Sequence, residues 1–355
     1  MALTVEQDSA AKPMLDFSAL ERPELEQTAV NLGLPAYRGR QVFQWIHQRG
    51  VSSFAEMTSL PADLRADLSA RAAIPEPGVG TRQVSTDGTI KFLLQLGDGR
   101  RIEAVYIPDT PAQTFCISTQ VGCAMACGFC LTGKMGLLRH LTAAEIVGQV
   151  RVLAREAGLA ASAFNLVLMG MGEPLHNYDA TMKALRILTD SQGLAVPARR
   201  ITLSTVGVLP GLQRLAKEPI MPNLAVSLHA TTDELRDRLA PINRKYKLKD
   251  LMDACRAFPL RRRGRITFEY VLLDQVNDTP DDARRLVRLL NGIQAKVNLL
   301  PLNEAEGIPF TRPSDERVNQ FASILAERGV TVSVRRSRGR DIRAACGQLL
   351  VETAV

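Results

Sequence analysis

The sequence lacks any long hydrophobic run. Of its 355 residues 46% are hydrophobic, yet no stretch of about 18 consecutive apolar residues occurs, and a membrane-spanning helix needs about 20. We therefore expect no membrane association. The first residues, MALTVEQDSAAKPML, also lack the charged start and apolar core of a secretory signal peptide, so we expect no such signal there.

The sequence contains few cysteines and only a modest excess of positive charge. Six cysteines in a chain of this length do not make a disulfide framework, and their clustering is typical of a metal cluster in a reducing cytoplasm. We therefore predict a cytoplasmic protein. The net charge of +7, with a pI near 9.2, favours an anionic partner such as nucleic acid.

Three of the cysteines form a C-x3-C-x2-C run, made by Cys123, Cys127 and Cys130. A 4Fe-4S cluster normally takes four cysteine ligands, so three leave one iron open to another ligand. A structural zinc site would need a fourth nearby ligand, and neither Cys116 nor His140 completes a usual zinc spacing. Three buried structural cysteines remain the simpler alternative.

The composition divides the chain into five predicted segments. They are a disordered N-terminus at 1–15, a helical accessory domain at 16–78, a β-hairpin extension at 79–113, a barrel at 114–340 and a C-terminal segment at 341–355. The helical domain carries Arg38, Arg40, His47 and Arg49, and residue by residue a solvated basic face explains them better than RNA docking does.

From residue 114 onward, predicted strands alternate with predicted helices. Six strands, TFCISTQ, FNLVLMG, RITLST, NLAVSLHA, RITFEYVLL and KVNLLPL, are each followed by a helix. Six such units predict an α/β fold, a partial (β/α)6 barrel with a small N-terminal helical accessory domain. In barrels of this kind the chemistry lies at the carboxyl ends of the strands.

Polar residues recur at these predicted strand ends. They are Gly172 and Glu173 in the sequence GMGEP, then Ser204, the stretch Ser227-Leu228-His229, and Asn303. A glycine such as Gly172 would let a ligand approach the backbone closely. The other residues are weak signals one by one, because a serine at a strand end is usually a helix cap.

Three cysteines and one glutamate lie outside the run. Cys255, in the middle of a predicted helix, is expected to be a small buried hydrophobic residue. Cys346 follows five arginines between 335 and 343, a setting that favours the reactive thiolate. Cys116 precedes Cys123 by seven residues, and Glu103 lies between apolar neighbours, where it could simply face solvent.

These motifs together resemble a known family. The run QVGCAMACGFC resembles the radical S-adenosylmethionine (SAM) enzymes. With LMGMGEPL, LSTVG, AVSLHA, APINRKY, FEYVLLD, NLLPLN and RGRDIRAACGQL, the chain resembles the RlmN/Cfr family of RNA adenine methyltransferases from about Arg101 to Leu349. Met171 and Pro174 resemble the RlmN branch of that family.

The resemblance implies the cofactors and their ligands. Cys123, Cys127 and Cys130 would bind a 4Fe-4S cluster. The implied SAM-binding residues are Gly172, Glu173, Ser204, Ser227, Leu228, His229 and Asn303. Two SAM molecules would be used in each turnover.

The resemblance also implies the roles of three further residues. Cys346 would carry a methyl group as S-methylcysteine, and a 5′-deoxyadenosyl radical would activate that methyl for addition to C2 of adenine. Cys116 would resolve the protein–RNA adduct, leaving a transient disulfide with Cys346. Glu103 matches the family's proton acceptor, although the residues themselves support Glu103 and Cys116 equally as the base.

By resemblance, the substrates are adenines in 23S rRNA, at position 2503, and in tRNA, at position 37. The expected partners are these RNAs, docked with help from the helical accessory domain, and an electron donor such as flavodoxin or ferredoxin; we expect a monomer. The alternatives are a C8-methylating enzyme of the Cfr branch, another radical SAM enzyme such as a glycyl-radical activase, and a zinc-stabilised RNA-binding module.

Overall fold

The computed structural model describes residues 14–108, 113–159 and 164–351. The predicted disordered start therefore lies almost wholly outside the described residues, as do the last four residues of the predicted C-terminal segment. Among the described residues, no helix is both long enough and apolar enough to cross a membrane.

The described chain contains eleven α-helices. They are α1 (Arg22–Asn31), α2 (Ala36–His47), α3 (Ala62–Arg71), α4 (Leu131–Lys134), α5 (Ala143–Glu156), α6 (Tyr178–Thr189), α7 (Leu209–Leu215), α8 (Asp233–Leu239), α9 (Leu248–Ala257), α10 (Pro280–Leu289) and α11 (Asp315–Glu327). Thr142 caps α5 in a reciprocal pair with Glu145, at 3.2 and 2.9 Å. Helix α8 was not predicted from the sequence.

Fourteen strands are described, and ten of them form one sheet. They are β1 (Leu15–Asp16), β2 (Ala72–Ala73), β3 (Gly78–Val84), β4 (Ile90–Gln95), β5 (Arg101–Ile107), β6 (Thr114–Cys116), β7 (Gln120–Gly122), β8 (Leu137–His140), β9 (Asn165–Leu168), β10 (Ile201–Thr205), β11 (Asn223–Ser227), β12 (Ile266–Leu272), β13 (Ala295–Pro301) and β14 (Thr331–Val334).

The large sheet confirms the predicted fold class. Strands β6, β9, β10, β11, β12, β13 and β14 pair in this order and run parallel, so six βα units are closed by one further strand. On the other side of β6 the sheet continues with β5, β4 and β3, which are antiparallel. Because the carboxyl ends of the parallel strands share one edge, the predicted site residues are brought to one end of the barrel.

The antiparallel extension contains the predicted hairpin, in which β4 pairs with β5, and adds β3 as a third strand. Glu103 lies in β5, and only 4% of its surface is exposed. The interpretation of Glu103 as a solvent-facing residue is therefore wrong, because the C-terminal segment covers this part of the hairpin.

The N-terminal helices share one continuous hydrophobic core with the barrel. Ion pairs cross the same contact, since Arg22 binds Asp190 at 3.0 Å and Arg186 binds Glu21 at 2.8 Å. The buried guanidinium of Arg151 on α5 also donates to the carbonyl of Val51 at 2.8 Å. The helical domain is thus packed firmly against α5 and α6 of the barrel.

Candidate active site at the carboxyl ends of the barrel strands

A cavity of about 180 Å³ opens at the carboxyl ends of the parallel strands. We call it the cluster chamber. Its walls include most of the residues that the sequence singled out: Cys123, Cys127, Cys130, Gly172, Glu173, Ser204, Ser227, His229, Asn303 and Cys346. Residues that are up to 223 positions apart in the chain are therefore gathered around one space.

The loop that carries the three cysteines follows β7. Gly122 has φ +76°, and a Cβ atom there would lie 1.9 Å from the carbonyl oxygen of Gly136, so only glycine fits this turn. The N–H of Cys123 then donates to that same Gly136 oxygen at 2.8 Å. Strand β8, which pairs with β7, thereby holds the start of the loop.

The cysteine loop offers the donor set of a cubane cluster. Cys123, Cys127 and Cys130 line one cavity, so their thiols can face one bound group. In a 4Fe-4S cluster each thiolate binds its own iron. Burial raises the pKa of Cys123 to about 12 and also raises the pKa of Cys127 and Cys130, so these thiols need a bound cation to ionise.

The turn that carries Glu173 is hydrogen-bonded to the segment before the cysteine loop. The N–H of Met171 donates to Ser118 Oγ at 2.8 Å, and the N–H of Glu173 donates to Gln120 Oε1 at 2.8 Å. Gly172 has φ +105°, and a Cβ atom there would lie 2.6 Å from the Cβ atom of Gln120. A closely approaching ligand is therefore not the whole reason for a glycine at this position. The Gln120 side chain also leaves no room for a Cβ atom there.

Glu173 is a buried carboxyl group in the wall of the chamber. Its Oε1 atom accepts the N–H of Leu175 at 3.0 Å, and its Oε2 atom accepts the N–H of Val206 at 2.8 Å. Burial nevertheless raises the pKa of Glu173 to about 7, above the ordinary glutamate value. A cationic group in the chamber would favour the ionised form, so the residue suits a ligand ammonium.

Strands β10 and β11 bring two hydroxyl groups and an imidazole to the same wall of the chamber. Ser204 and Ser227 lie with their Oγ atoms 3.5 Å apart. His229 Nδ1 accepts the N–H of Val271 at 3.0 Å, and burial lowers the pKa of His229 to about 3. The neutral ring therefore carries its proton on Nε2. Leu228, by contrast, is fully buried in the core and does not line the chamber.

Two buried oxygen atoms in the chamber lack a hydrogen-bond partner among the residues that the structure describes. They are Asn303 Oδ1 and Glu269 Oε2. Buried polar atoms are rarely left unpaired, so both oxygens fit a ligand that donates N–H or O–H groups, as the nucleoside and amino groups of SAM do. Asn303 also donates to the carbonyl of Cys346, at 3.4 Å.

Cys346 also lines a second cavity, of about 370 Å³, which we call the thiol chamber. Cys116 lies in the wall of this chamber, together with Asn303 and Arg335. Cys346 is exposed and Cys116 is buried, and burial raises the pKa of Cys116 to about 12. In the part of the chain that is described, all six cysteines are free thiols.

The C-terminal segment that carries Cys346 is docked on the cysteine loop. Leu131 N–H donates to the carbonyl of Gly347 at 2.8 Å, and Thr132 Oγ1 donates to the carbonyl of Leu349 at 2.7 Å. These bonds hold Cys346 where both chambers meet.

Glu103 holds the far end of the same segment. Its carboxylate accepts the N–H of Leu350 at 2.9 Å and pairs with the ammonium of Lys91 at 2.8 Å. It lines a third cavity, next to the hairpin, and neither of the chambers that contain Cys346. The structure thus brings Cys116 and Cys346 together and leaves Glu103 outside.

Sequence reasoning missed two charged residues of the site, Glu269 and Arg335. Burial raises the pKa of Glu269, while Cys346, Glu269 and Cys116 together raise the pKa of Arg335. The sequence did contain a signal for Glu269, because it is the one charged residue of the strand ITFEYVL, all of which is buried. Arg335 was hidden among five arginines, of which it is the one that lines both chambers.

The partial barrel and its three-cysteine loop define a radical SAM protein, and comparison with protein families agrees. Residues 117–290 match the family model of the radical SAM superfamily. Residues 15–74 match the model described as the ribosomal RNA large subunit methyltransferase N-terminal domain. The chain belongs to the RlmN family of radical SAM methyltransferases.

Individual relatives cover nearly the whole chain. A protein of Geobacter sulfurreducens named "Dual-specificity RNA methyltransferase RlmN" is 52% identical, over 95% of this chain and 92% of that protein. A protein of Myxococcus xanthus named "Dual-specificity RNA methyltransferase RlmN 2" is 50% identical, over 94% and 89%. The crystal structure of a radical SAM methyltransferase from Sphaerobacter thermophilus superimposes with a TM-score of 0.89 at 48% identity, covering 95% of this chain and 99% of that one.

Proposed function

We propose that this protein methylates C2 of adenine in 23S rRNA and in tRNA, with Cys346 as the methyl carrier. The observation that carries the proposal is the position of Cys346. It lies in the wall of the cluster chamber with Cys123, Cys127 and Cys130, and in the wall of the thiol chamber with Cys116. One thiol is therefore in reach of both the cofactor residues and a second thiol.

Cys123, Cys127 and Cys130 would hold the 4Fe-4S cluster. Gly172, Glu173, Ser204, Ser227, His229 and Asn303 would contact SAM, and Leu228 would contribute only by supporting the wall. When bound, the cluster and two SAM molecules per turnover supply a methyl group and a carbon-centred radical. The two unpaired oxygens, of Asn303 and Glu269, support this assignment because the donor groups of SAM would satisfy them.

Cys346 and Cys116 would act in sequence. The sulfur of Cys346 accepts a methyl group, and one hydrogen atom of that methyl group is then transferred to the carbon-centred radical. The remaining carbon bonds to C2 of the substrate adenine, with loss of one electron and of the proton at C2. The thiolate of Cys116 attacks the sulfur of Cys346, so that an S–S bond forms while the S–C bond to the RNA-linked carbon breaks, and that carbon takes up a proton to become the methyl group of the product. An external thiol must reduce this transient disulfide before the next turnover.

Two residues are candidates for removing the proton at C2. Glu103 matches the position of the family's proton acceptor, but it lines the hairpin cavity and binds Lys91 and Leu350. Cys116 lines the thiol chamber with Cys346. These contacts favour Cys116 as the base and Glu103 as a residue that holds the C-terminal segment.

An RNA substrate is supported by the names of the relatives and by the basic surface. The net charge is +7, and exposed basic residues would contact RNA phosphates. They include Arg244, Lys245, Arg261, Arg262, Arg336, Arg340 and Arg343. The adenine would have to leave the stacked RNA to reach Cys346. An electron donor such as flavodoxin or ferredoxin would serve the cluster. We propose a cytoplasmic location, because the free thiols require reducing conditions. We also propose that the protein is a monomer.

The test is mass spectrometry of the anaerobically reconstituted protein after incubation with SAM. We expect one added methyl group on the peptide that contains Cys346. Cys255→Ala, in a buried thiol of the core, should keep that methyl group, whereas Cys346→Ala should lose it. A methyl group on another cysteine, or none at all, would overturn the carrier assignment. Analysis of the RNA nucleosides would then separate C2 from C8 methylation.

A further inference from the structure

Gln120 links the turn of Glu173 to a pair of histidines outside the chamber. It is the first residue of β7, and its side chain is fully buried. Its Oε1 atom accepts the N–H of Glu173 at 2.8 Å. Its Nε2 atom lies 2.9 Å from His140 Nδ1 and 3.2 Å from His176 Nδ1. The two rings meet edge to face, with centroids 5.0 Å apart.

These contacts fix the direction of the Gln120 amide. Its oxygen must face Glu173, because a main-chain N–H can only donate. Its NH₂ group then has one N–H for each histidine, so both Nδ1 atoms must be acceptors and both rings must be neutral. If the amide turned by half a rotation, N–H would face N–H at Glu173, and both histidines would have to change tautomer to meet the oxygen. The histidine pair, with both Nδ1 atoms as acceptors, therefore stabilises the orientation that serves Glu173.

The Glu173 N–H is buried, and Gln120 supplies its acceptor. Gly172 also packs directly against Gln120, so this one side chain sets the position of the turn relative to the cysteine loop. We propose that Gln120 is a positioning residue that aligns Glu173 for the ammonium group of SAM, and that His140 and His176 orient Gln120. This inference rests on the proposed role of Glu173 in binding SAM.

Protonation of either histidine would oppose this arrangement, because an imidazolium presents N–H at Nδ1 and faces the N–H of the amide. Both histidines are exposed, so protons reach them from solvent and not through the chamber. Burial and the neighbouring His176 lower the pKa of His140. SAM affinity should therefore weaken as the pH falls and His140 becomes charged.

The other charged groups nearby can be separated from the histidines. Arg139, beside His140, is paired with Asp98 at 2.7 Å and with Glu145 at 2.8 Å, and the pairing raises the pKa of Arg139. Arg139 therefore stays charged between pH 6 and pH 8. Glu173 does titrate, because burial raises its pKa to about 7. Variants of the histidines are therefore needed to isolate their contribution.

The first experiment measures the dissociation constant of SAM on the full-length reconstituted protein at pH 8 and pH 6. In wild type we expect affinity to fall by about thirtyfold, because titration of Glu173 alone accounts for about tenfold and the lost amide contact for about threefold more. In His140→Asn/His176→Asn the asparagine oxygens remain acceptors at both pH values, so the loss should shrink to the about tenfold that Glu173 alone causes. An unchanged thirtyfold loss in the double variant would overturn the role of the histidines.

Gln120→Glu gives a sharper outcome. A carboxylate can accept the Glu173 N–H with one oxygen and an imidazolium N–H with the other. At pH 8 the rings are neutral and leave this buried negative charge uncompensated beside Glu173, so the variant should bind SAM poorly at pH 8 and better at pH 6. That direction is opposite to wild type, and a merely structural role of Gln120 does not produce it. Gln120→Glu combined with the two His→Asn changes should not recover at pH 6. If Gln120→Glu follows the wild-type direction, the proposal fails.

A spectroscopic readout is independent of SAM. The chain has four histidines, of which His47 and His229 are buried, so the imidazole NMR signals of His140 and His176 can be followed. Gln120→Glu should raise the pKa of both rings, and Gln120→Leu should not raise it. Equal titration curves in all three proteins would show that the amide does not contact the rings in solution.

Glu173→Gln separates this inference from the proposed function. If Glu173→Gln binds SAM as wild type does, with its iron content intact, the SAM role of Glu173 itself is wrong. If Glu173→Gln loses affinity while the Gln120 and histidine variants bind SAM as wild type does at both pH values, only the present inference is wrong.

Discussion

The main-chain N–H of Leu131 donates a 2.8 Å hydrogen bond to the carbonyl oxygen of Gly347. Leu131 follows the last cysteine of the cluster loop, and Gly347 follows Cys346. This bond therefore couples the loop that would hold the cluster to the segment that would carry the methyl group. Gly347 has φ +81°, a conformation that suits glycine, and this lets the chain bend against the loop there.

The three cysteines of the run should be equally necessary for the cluster. We expect Cys123→Ala, Cys127→Ala and Cys130→Ala each to lose most of the iron and the visible absorbance, because two thiolates cannot hold a cluster that needs three. Wild type should bind about four irons per chain. Cys255→Ala is the matched control and should keep them. A variant of the run that kept full iron would exclude that cysteine as a ligand.

Variants of Cys116 and Cys346 should lose activity in different ways if the two thiols act in sequence. Cys346→Ala has no methyl carrier, so it should form neither product nor a protein–RNA adduct. Cys116→Ala can still form the bond to adenine but cannot break the linkage, so it should accumulate a covalent adduct. Denaturing gels and mass spectrometry after ribonuclease treatment would detect it. If Cys116→Ala turns over normally, Cys116 is only a packing residue of β6.

Thr132 should hold Cys346 in place. Its hydroxyl group also hydrogen-bonds with the Cys130 thiol, but Thr132 is not itself a ligand of the cluster. Thr132→Val removes the donor to the Leu349 carbonyl and should weaken the docking of the segment by about 1–3 kcal/mol, because the buried carbonyl is left unpaired. We expect slower methylation of Cys346 at unchanged iron content. Thr132→Ser keeps the hydroxyl group and should behave as wild type does. A parallel loss of iron would instead assign Thr132 to the cluster loop.

His229 should make the stability of the protein depend on pH. In the unfolded chain its pKa is near 6.5, whereas burial, and then Arg236, lower the pKa of His229 in the folded protein to about 3. The unfolded state therefore binds more protons between these values. The stabilisation is complete above pH 6.5 and is lost as the pH falls toward 3, by about 1 kcal/mol per pH unit.

His229→Asn tests this dependence. Asparagine tolerates φ near +60° and its amide oxygen can accept the N–H of Val271, but it does not titrate. The free energy of unfolding, measured in denaturant from pH 7 to pH 5, should fall less steeply in the variant than in wild type. Parallel curves would show that His229 is not the group responsible.

The local patterns of the sequence were enough to predict the barrel and the cysteine loop. Cys123, Cys127 and Cys130 lie within eight residues, so a single loop presents them whatever the rest of the chain does. The capping pair of Thr142 and Glu145 likewise acts within one helical turn. Because apolar strands alternate with amphipathic helices, the parallel order of the strands also followed from the sequence.

The arrangement around Cys346 depended on contacts that no local pattern encodes. Thr132 meets Leu349 across 217 positions of the chain, and Glu103 meets Leu350 across 247. Gln120 is an ordinary polar residue in the sequence, and only the pairing of β7 with β8 brings His140 to it. Residue spacing determines what one loop, strand or helix can present, whereas the packing of distant segments decides which side chains share a cavity and which are buried.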